Sequence, residues 1–177
     1  MVAIKNLLLL VSTVTAAAIS KREIYAYFNY LDSINTKCVD IVPIVYRYYG
    51  TVDQTIAVKN AQDAIYTGIL QATTETTKTT GPITEEQANE LLAKLDTLHP
   101  NVVAVMKSFQ DKKPEFDKAR TSAEVVVLIT AAFESFRVLQ TNTLPLVSEK
   151  YKTAAQARGD AIDEAFADTL RFYGKGV

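Results

Sequence analysis

The residue types that most often do chemistry or recognition are nearly missing from this chain. It has one His, one Cys and no Trp in 177 residues. A lone imidazole cannot build the multi-ligand clusters that zinc sites need. The pattern Gly-X-Ser-X-Gly and a Gly-rich phosphate loop are both absent. The sequence therefore gives no catalytic residue, no metal site and no cofactor. His99, before Pro100, reads as a helix-terminal cap favoured by the helix dipole. A surplus of basic charge is also missing: 19 Lys and Arg meet 20 Asp and Glu. That argues against a nucleic-acid partner, which would need a basic face on the protein, and no basic cluster of the membrane-surface kind is present. Asn-X-Ser/Thr is absent, so N-linked sugars are not expected. With a single Cys, no internal disulfide can form, and the fold must hold by packing.

What is present begins with an export pattern. Lys5 is followed by the apolar run Leu7–Val11 and by Ala16-Ala17-Ala18, a small-residue cleavage site. The run is far short of the roughly 20 apolar residues of a membrane span. Residues 1–18 read as a signal peptide. Residues 19–22 end in Lys21-Arg22, which is either a second processing site or a pair of solvated charges. Residues 23–177 form the domain. The C-terminus lacks the hydrophobic tail of a lipid-anchor signal, so the expected product is free, extracellular and monomeric.

Beyond residue 22, apolar residues recur at steps of three and four, the spacing of amphipathic helices. The first stripe is Ile24, Tyr27, Leu31, Ile34, Cys38, Ile41, Val45 and Tyr48, with Pro43 expected to kink or end the helix. A second helix is expected from 51 to 78 with Val52, Ile56, Ala61, Ile65, Gly68 and Ala72 inside. Thr73 to Thr80 and Gly81-Pro82 favour fraying and a turn. Thr84-Glu85-Glu86-Gln87 is a capping box opening a third helix that ends at His99-Pro100. A fourth carries Val102, Val105, Met106 and Phe109 and stops before Pro114, leaving Phe116 in a linking turn. Thr121-Ser122-Ala123-Glu124 is a second capping box. Behind it, Val125 to Phe133 is apolar on every side, which predicts a helix buried all round at the centre of the bundle. The last helix follows Pro145 and carries Val147, Tyr151, Ile162, Phe166 and Tyr173. The fold class is all-α: a single-domain bundle of five to six helices around one highly apolar member.

These segments carry a resemblance. Leu92-Ala93-Lys94-Leu95, Lys112-Lys113-Pro114-Glu115-Phe116, Pro145 and Ala161-Ile162-Asp163-Glu164-Ala165-Phe166-Ala167, behind a signal peptide, resemble the fungal hydrophobic surface-binding protein A family, with its cell-wall galactomannoproteins. The resemblance implies a secreted or wall-associated, non-catalytic protein that adsorbs to hydrophobic surfaces or encloses a fatty acid between helices. The chain lacks the long Ser/Thr-rich stalk and anchor signal of wall-anchored members.

The residues allow the same reading. Each methylene moved from water into an apolar cavity gains about 0.8 kcal/mol, so a long acyl chain is a strong ligand for a bundle interior. The candidate lining is Phe28, Leu31, Ile65, Leu92, Leu95, Val102, Met106, Phe109, Leu128, Ala132, Phe136, Ile162 and Phe166; the same residues would equally make a filled core. Thr130, Ser135, Arg137 and Arg158 are the candidate contacts for a carboxylate head group. Two alternatives remain open. One is a solid bundle that adheres to a wall or apolar solid, or recruits another protein, through outward tyrosines such as Tyr30 and Tyr46. The other is a helical inhibitor of a secreted enzyme.

Overall fold

The computed structural model describes the backbone of residues 2–79 and 81–176, and side chains from Ile24 onward. The proposed signal peptide and dibasic segment lie outside the residues whose side chains are described. Six α-helices follow one another: α1 (Val2–Tyr46), α2 (Val52–Lys78), α3 (Glu85–Asp111), α4 (Lys113–Ala119), α5 (Ser122–Thr143) and α6 (Glu149–Phe172). A single 3₁₀ turn, Leu144–Leu146, joins α5 to α6. No strand occurs among the described residues, so the all-α bundle expected from the helical spacing is the fold.

Side-chain bonds fix the directions of the helices. Tyr27, early in the part of α1 whose side chains are described, meets Thr143 at the end of α5, hydroxyl to hydroxyl, at 3.1 Å. Tyr46 donates to Asp111, joining the ends of α1 and α3. The Tyr173 hydroxyl donates to the Phe109 carbonyl at 2.7 Å, joining the ends of α6 and α3. Hence α1, α3 and α6 run one way and α2 and α5 the other. The end where α1, α3 and α6 finish is called the upper end here. It is closed by stacked rings, Tyr48 on Phe116 at 4.2 Å and Phe109 on Phe116 at 5.8 Å. Each such pair adds roughly 1 kcal/mol beyond burial.

Several elements differ from the sequence reading. Pro43 does not end α1, which continues one turn to Tyr46. Pro100 does not end α3 either; the two predicted helices are one, with Pro100 inside and His99 mid-helix rather than at a cap. Leu95 and Leu98 before Pro100 are buried, as are Val102 and Val105 after it. Keeping both pairs in the core offsets the roughly 3 kcal/mol that an interior Pro costs. The helix carrying Phe109 does stop before Pro114, at Asp111, but Pro114 then opens a further helix, α4, which suits its fixed φ. Phe116 is then a core residue at 1% exposure, not part of a linking turn. The Thr-dense end of α2 does not fray: the helix runs to Lys78, the expected boundary, with Thr73, Thr74, Thr76 and Thr77 each hydrogen-bonding back to a carbonyl of the preceding turn.

Capping follows the local pattern twice. Thr84 and Gln87 form the predicted reciprocal box, and Thr51 with Gln54 forms another. Thr121 makes no cap bond to α5. Its hydroxyl meets the Tyr48 hydroxyl at 2.9 Å instead.

Helix α5 is not enclosed. Val125, Ile129, Ala132, Phe133 and Phe136 are buried, while Val127 is 67% exposed. The buried stripe of α2 is Val58, Gln62, Ile65, Gly68, Ile69, Ala72 and Thr76; Val52 and Ile56, expected inside, face water. At Gly68 a Cβ would lie 2.9 Å from Ile34 Cγ1, so the missing side chain lets α1 and α2 approach closely.

Candidate functional site

Three apolar spaces lie along α5 and its neighbours. The first is a cleft at the upper end, between the starts of α2 and α5 and over α4. Val58, Phe116, Val125, Val127 and Leu128 line it, with Thr55, Lys59, Thr121 and Glu124 at its edges, and it holds about 420 Å³. The second is an interior void below it, bounded by Ile34 and Cys38 of α1, by Gln62, Ile65 and Ile69 of α2, by Leu98, Val102, Val105 and Met106 of α3, and by Phe136 and Phe166. The third lies at the lower end, among Tyr27, Leu31, Leu95, Phe136, Leu139, Gln140, Thr143, Leu144, Ala155 and Gly159.

Their order follows from the helices that make their walls. On α2, Val58 of the cleft and Gln62 of the central void are one turn apart. On α5 the walls run from Val125 through Phe136 to Thr143, a length of about 27 Å at 1.5 Å rise per residue. The phenyl ring of Phe136 lines both inner voids and so stands between them. As they stand, these voids leave a water centre about 10 Å³ in the central one and about 20 Å³ in the lower one. That is room for about one water each. An occupant larger than water must displace side chains, and one that spans both inner voids must displace Phe136.

The lower void is covered by a thin lid. The Gln140 side chain lies across Gly159, where a Cβ would come within 2.3 Å of Gln140 Nε2. The amide is held in place by Asp160, which accepts from Nε2 at 3.1 Å.

The central void is apolar with one exception. Gln62 is 1% exposed, and its Oε1 is buried without a hydrogen-bond partner. The neighbouring Cys38 is also buried, and burial pushes its thiol pKa up to about 12, which leaves it inert.

Eight of the thirteen candidate lining residues border one of the three spaces. Ile65, Val102, Met106, Phe136 and Phe166 border the central void; Leu31 and Leu95 join Phe136 at the lower one; Leu128 lies in the cleft. Phe28, Phe109, Ala132 and Ile162 are buried, and Leu92 is partly so, but none of these five lines any of the three spaces.

The candidate head-group contacts are not gathered at any one space. Arg158 is engaged by Asp96, which it holds well below the usual carboxylate range through their hydrogen bonds. Arg137 is mostly exposed, lies over the Phe133 ring at 5.5 Å and faces Asp163 at 3.6 Å. Thr130 donates to the Val126 carbonyl and accepts from Lys175. Ser135 is half-buried and borders none of the three spaces. Of the outward tyrosines, Tyr30 is partly buried against the core, and Tyr46 is 42% exposed with its hydroxyl engaged by Asp111.

Sequence reasoning missed Gln62, Tyr27, Thr143 and Gln140. A signal for Gln62 was available. It falls on the 58-62-65-69 spacing of α2, where the other three residues are apolar. An amide on an otherwise apolar stripe marks either a bonded core polar group or a binding contact.

Solved structures with the same fold have been obtained with lipids. The palmitic acid complex of Afmp4p superposes with a TM-score of 0.81 at 19% identity, over 85% of this chain and 99% of that one. Ligand-binding domain 1 of the Penicillium marneffei MP1 protein, complexed with arachidonic acids, gives 0.79 at 12% identity over 85% and 98%. Domain 2 of the same protein, with multiple arachidonic acids, gives 0.78 at 14% over 86% and 97%. At these identities the likeness establishes the fold. Comparison with curated proteins finds no significant match. The family model described as hydrophobic surface binding protein A matches residues 25–134, from the middle of α1 to the middle of α5, and the chain belongs to that family.

Proposed function

We propose that this protein is an exported, non-catalytic carrier that takes a long-chain fatty acid along the bundle axis, with the upper cleft as the way in. The observation that carries this reading is the succession of the cleft and the two inner voids along α5, the two inner voids sharing Phe136 as a wall. Together they mark an apolar line the length of α5, which an acyl chain opens by displacing side chains. Ligand sites of this kind are mostly apolar with few polar groups. The fatty acids held by Afmp4p and the MP1 domains, proteins of the same fold, support the choice of ligand. Lys59, paired with Asp63, is the cation that lines the cleft edge, where a carboxylate left at the mouth would meet it. Among the described residues no group of three potential metal ligands is assembled and no helix is long and apolar enough to cross a membrane. The export assignment rests on the Lys5, Leu7–Val11 and Ala16–Ala18 pattern. Native mass spectrometry of the purified protein offered palmitate tests the carrier: a one-to-one adduct is expected. A protein that arrives empty and stays empty would overturn it.

A second reading has its own observation. Val52, Ile56 and Val127 are 74%, 51% and 67% exposed. Val52 and Ile56 share a face of α2 with Thr55 and Lys59 of the cleft edge, and Val127 is on the cleft wall. Exposed apolar groups gathered around an apolar cleft favour adsorption to a hydrophobic solid. Changing all three to Ser should weaken adsorption to polystyrene beads, whereas Tyr30→Ser with Tyr46→Ser should not. If only the tyrosine pair weakened it, the contact face would lie on α1.

A further inference from the structure

We infer that Gln62 makes this a binding site for acyl chains that carry a hydroxyl near the middle of the chain. The inference rests on the carrier reading above and specifies its ligand.

A Gln side chain at 1% exposure with an unpaired Oε1 is costly to keep, because a buried acceptor has given up its bond to water. Its surroundings do not repay it. The other walls of the void are hydrocarbon, apart from the weakly donating Cys38 thiol. Nor is the void a good seat for water. Its free room is at the threshold for one molecule, and a buried water wants two to four polar partners. What would satisfy Oε1 is an O–H donor delivered on an apolar body, and an acyl chain threaded along the path is such a body.

Position decides where on the ligand that donor belongs. The central void lies between the cleft and the lower void, so a chain filling all three has its middle beside Gln62. A plain acyl chain leaves the amide as it was. A mid-chain hydroxyl is itself expensive to bury alone. Pairing it with Gln62 removes both penalties at once. A carboxylate is not the natural partner of Oε1, since two acceptors face each other and no cation lines the void.

The test is affinity for stearic acid, 10-hydroxystearic acid and 2-hydroxystearic acid, measured by displacement of a fluorescent fatty acid from the wild type and from Gln62→Met. The wild type is expected to bind the 10-hydroxy acid about tenfold more tightly than stearic acid, and to give the 2-hydroxy acid no such gain. In Gln62→Met the preference should fall below about twofold while stearic acid still binds. Equal binding of the three acids by the wild type would overturn the inference and leave the carrier intact; so would a preference that survives in Gln62→Met. Failure of the wild type to bind any of the three would overturn the carrier reading beneath it. If the variant does not fold, the comparison of hydroxyl positions in the wild type still decides.

Discussion

Arg158 holds Asp96 in a two-pronged grip, Nε to Oδ1 at 2.7 Å and Nη2 to Oδ2 at 2.9 Å, tying α6 to α3. A third nitrogen, Nη1, donates to the Ala154 carbonyl. A guanidinium so engaged is a clamp between helices, with little left for a lipid head group. The pair lies at the surface, where such bridges contribute up to about 1 kcal/mol. Arg158→Ala should therefore lower the melting temperature by a few degrees at most and leave fatty-acid affinity within about twofold of wild type. Isothermal titration with palmitate alongside a thermal melt checks both. A tenfold loss of affinity would make Arg158 a ligand contact after all.

Gly159 allows a prediction about access. A Cβ there cannot coexist with the present Gln140 side chain, but that amide is the flexible end of its residue and can swing away. Gly159→Ala gains about 1 kcal/mol of helix propensity. It loses a surface hydrogen bond between Gln140 and Asp160 of comparable size. Stability should barely change, while the lower void loses its cover. Stopped-flow mixing with a fluorescent fatty acid should show uptake at the wild-type rate, because ligand enters through the upper cleft. A faster rate would make the lower end a second entrance.

How much of this was legible in the chain depends on the range of each interaction. The α3 stripe and the Thr84–Gln87 box are set by residues three or four apart, and both were readable. Pro100 was misread because its local preference to stop a helix is overridden by Leu98 and Val102 packing on either side of it. Thr121 was misread because its hydroxyl is bonded to Tyr48, 73 positions away. The α2 stripe was right at Ile65, Gly68 and Ala72 but wrong at Val52 and Ile56, which are apolar yet exposed, at the start of the helix where little packs over them. The site was harder still. A void is made by atoms that are absent from between five helices, and spacing along one helix does not report it. Hence Phe109 and Ile162 look no different in sequence from Phe136 and Phe166, though only the latter pair borders the central void.

Phe136 stands between the two inner voids, and its removal should join them. Phe136→Ala should cost about 3 to 5 kcal/mol in the ligand-free protein, the usual loss for a buried Phe. The same change opens a longer path for an acyl chain. Bound ligand stabilises the folded state in proportion to its affinity and concentration. The rise in melting temperature on adding palmitate should therefore be larger for Phe136→Ala than for wild type, measured at the same lipid concentration. A smaller rise would place the chain elsewhere than through these voids.

Asp163 sets a pH dependence. Its Oδ1 is buried without a hydrogen bond, and burial pushes its pKa from 3.8 to about 6, against the pull of Arg137 at 3.6 Å and with a smaller push from Asp160. The folded protein thus binds this proton more tightly than the unfolded chain does. Between pH 4 and 6 the native state holds more protons, so the contribution of Asp163 to stability falls as pH rises through that window. Above it, the full cost of a half-buried carboxylate is present. Asp96, Asp111 and Asp117 are lowered by their hydrogen bonds to Arg158, Lys107 and Lys113, and act in the opposite sense, losing stability as pH falls. The contribution of Asp163 is therefore read as a difference. Asp163→Asn keeps the shape and removes the charge, so it should melt above wild type at pH 7, with the gap closing toward pH 4. Thermal melts of both proteins at pH 4, 5, 6 and 7 measure it. A gap that stayed constant, or an Asn variant less stable than wild type at pH 7, would mean that the ion pair with Arg137 outweighs the cost of burying the carboxylate.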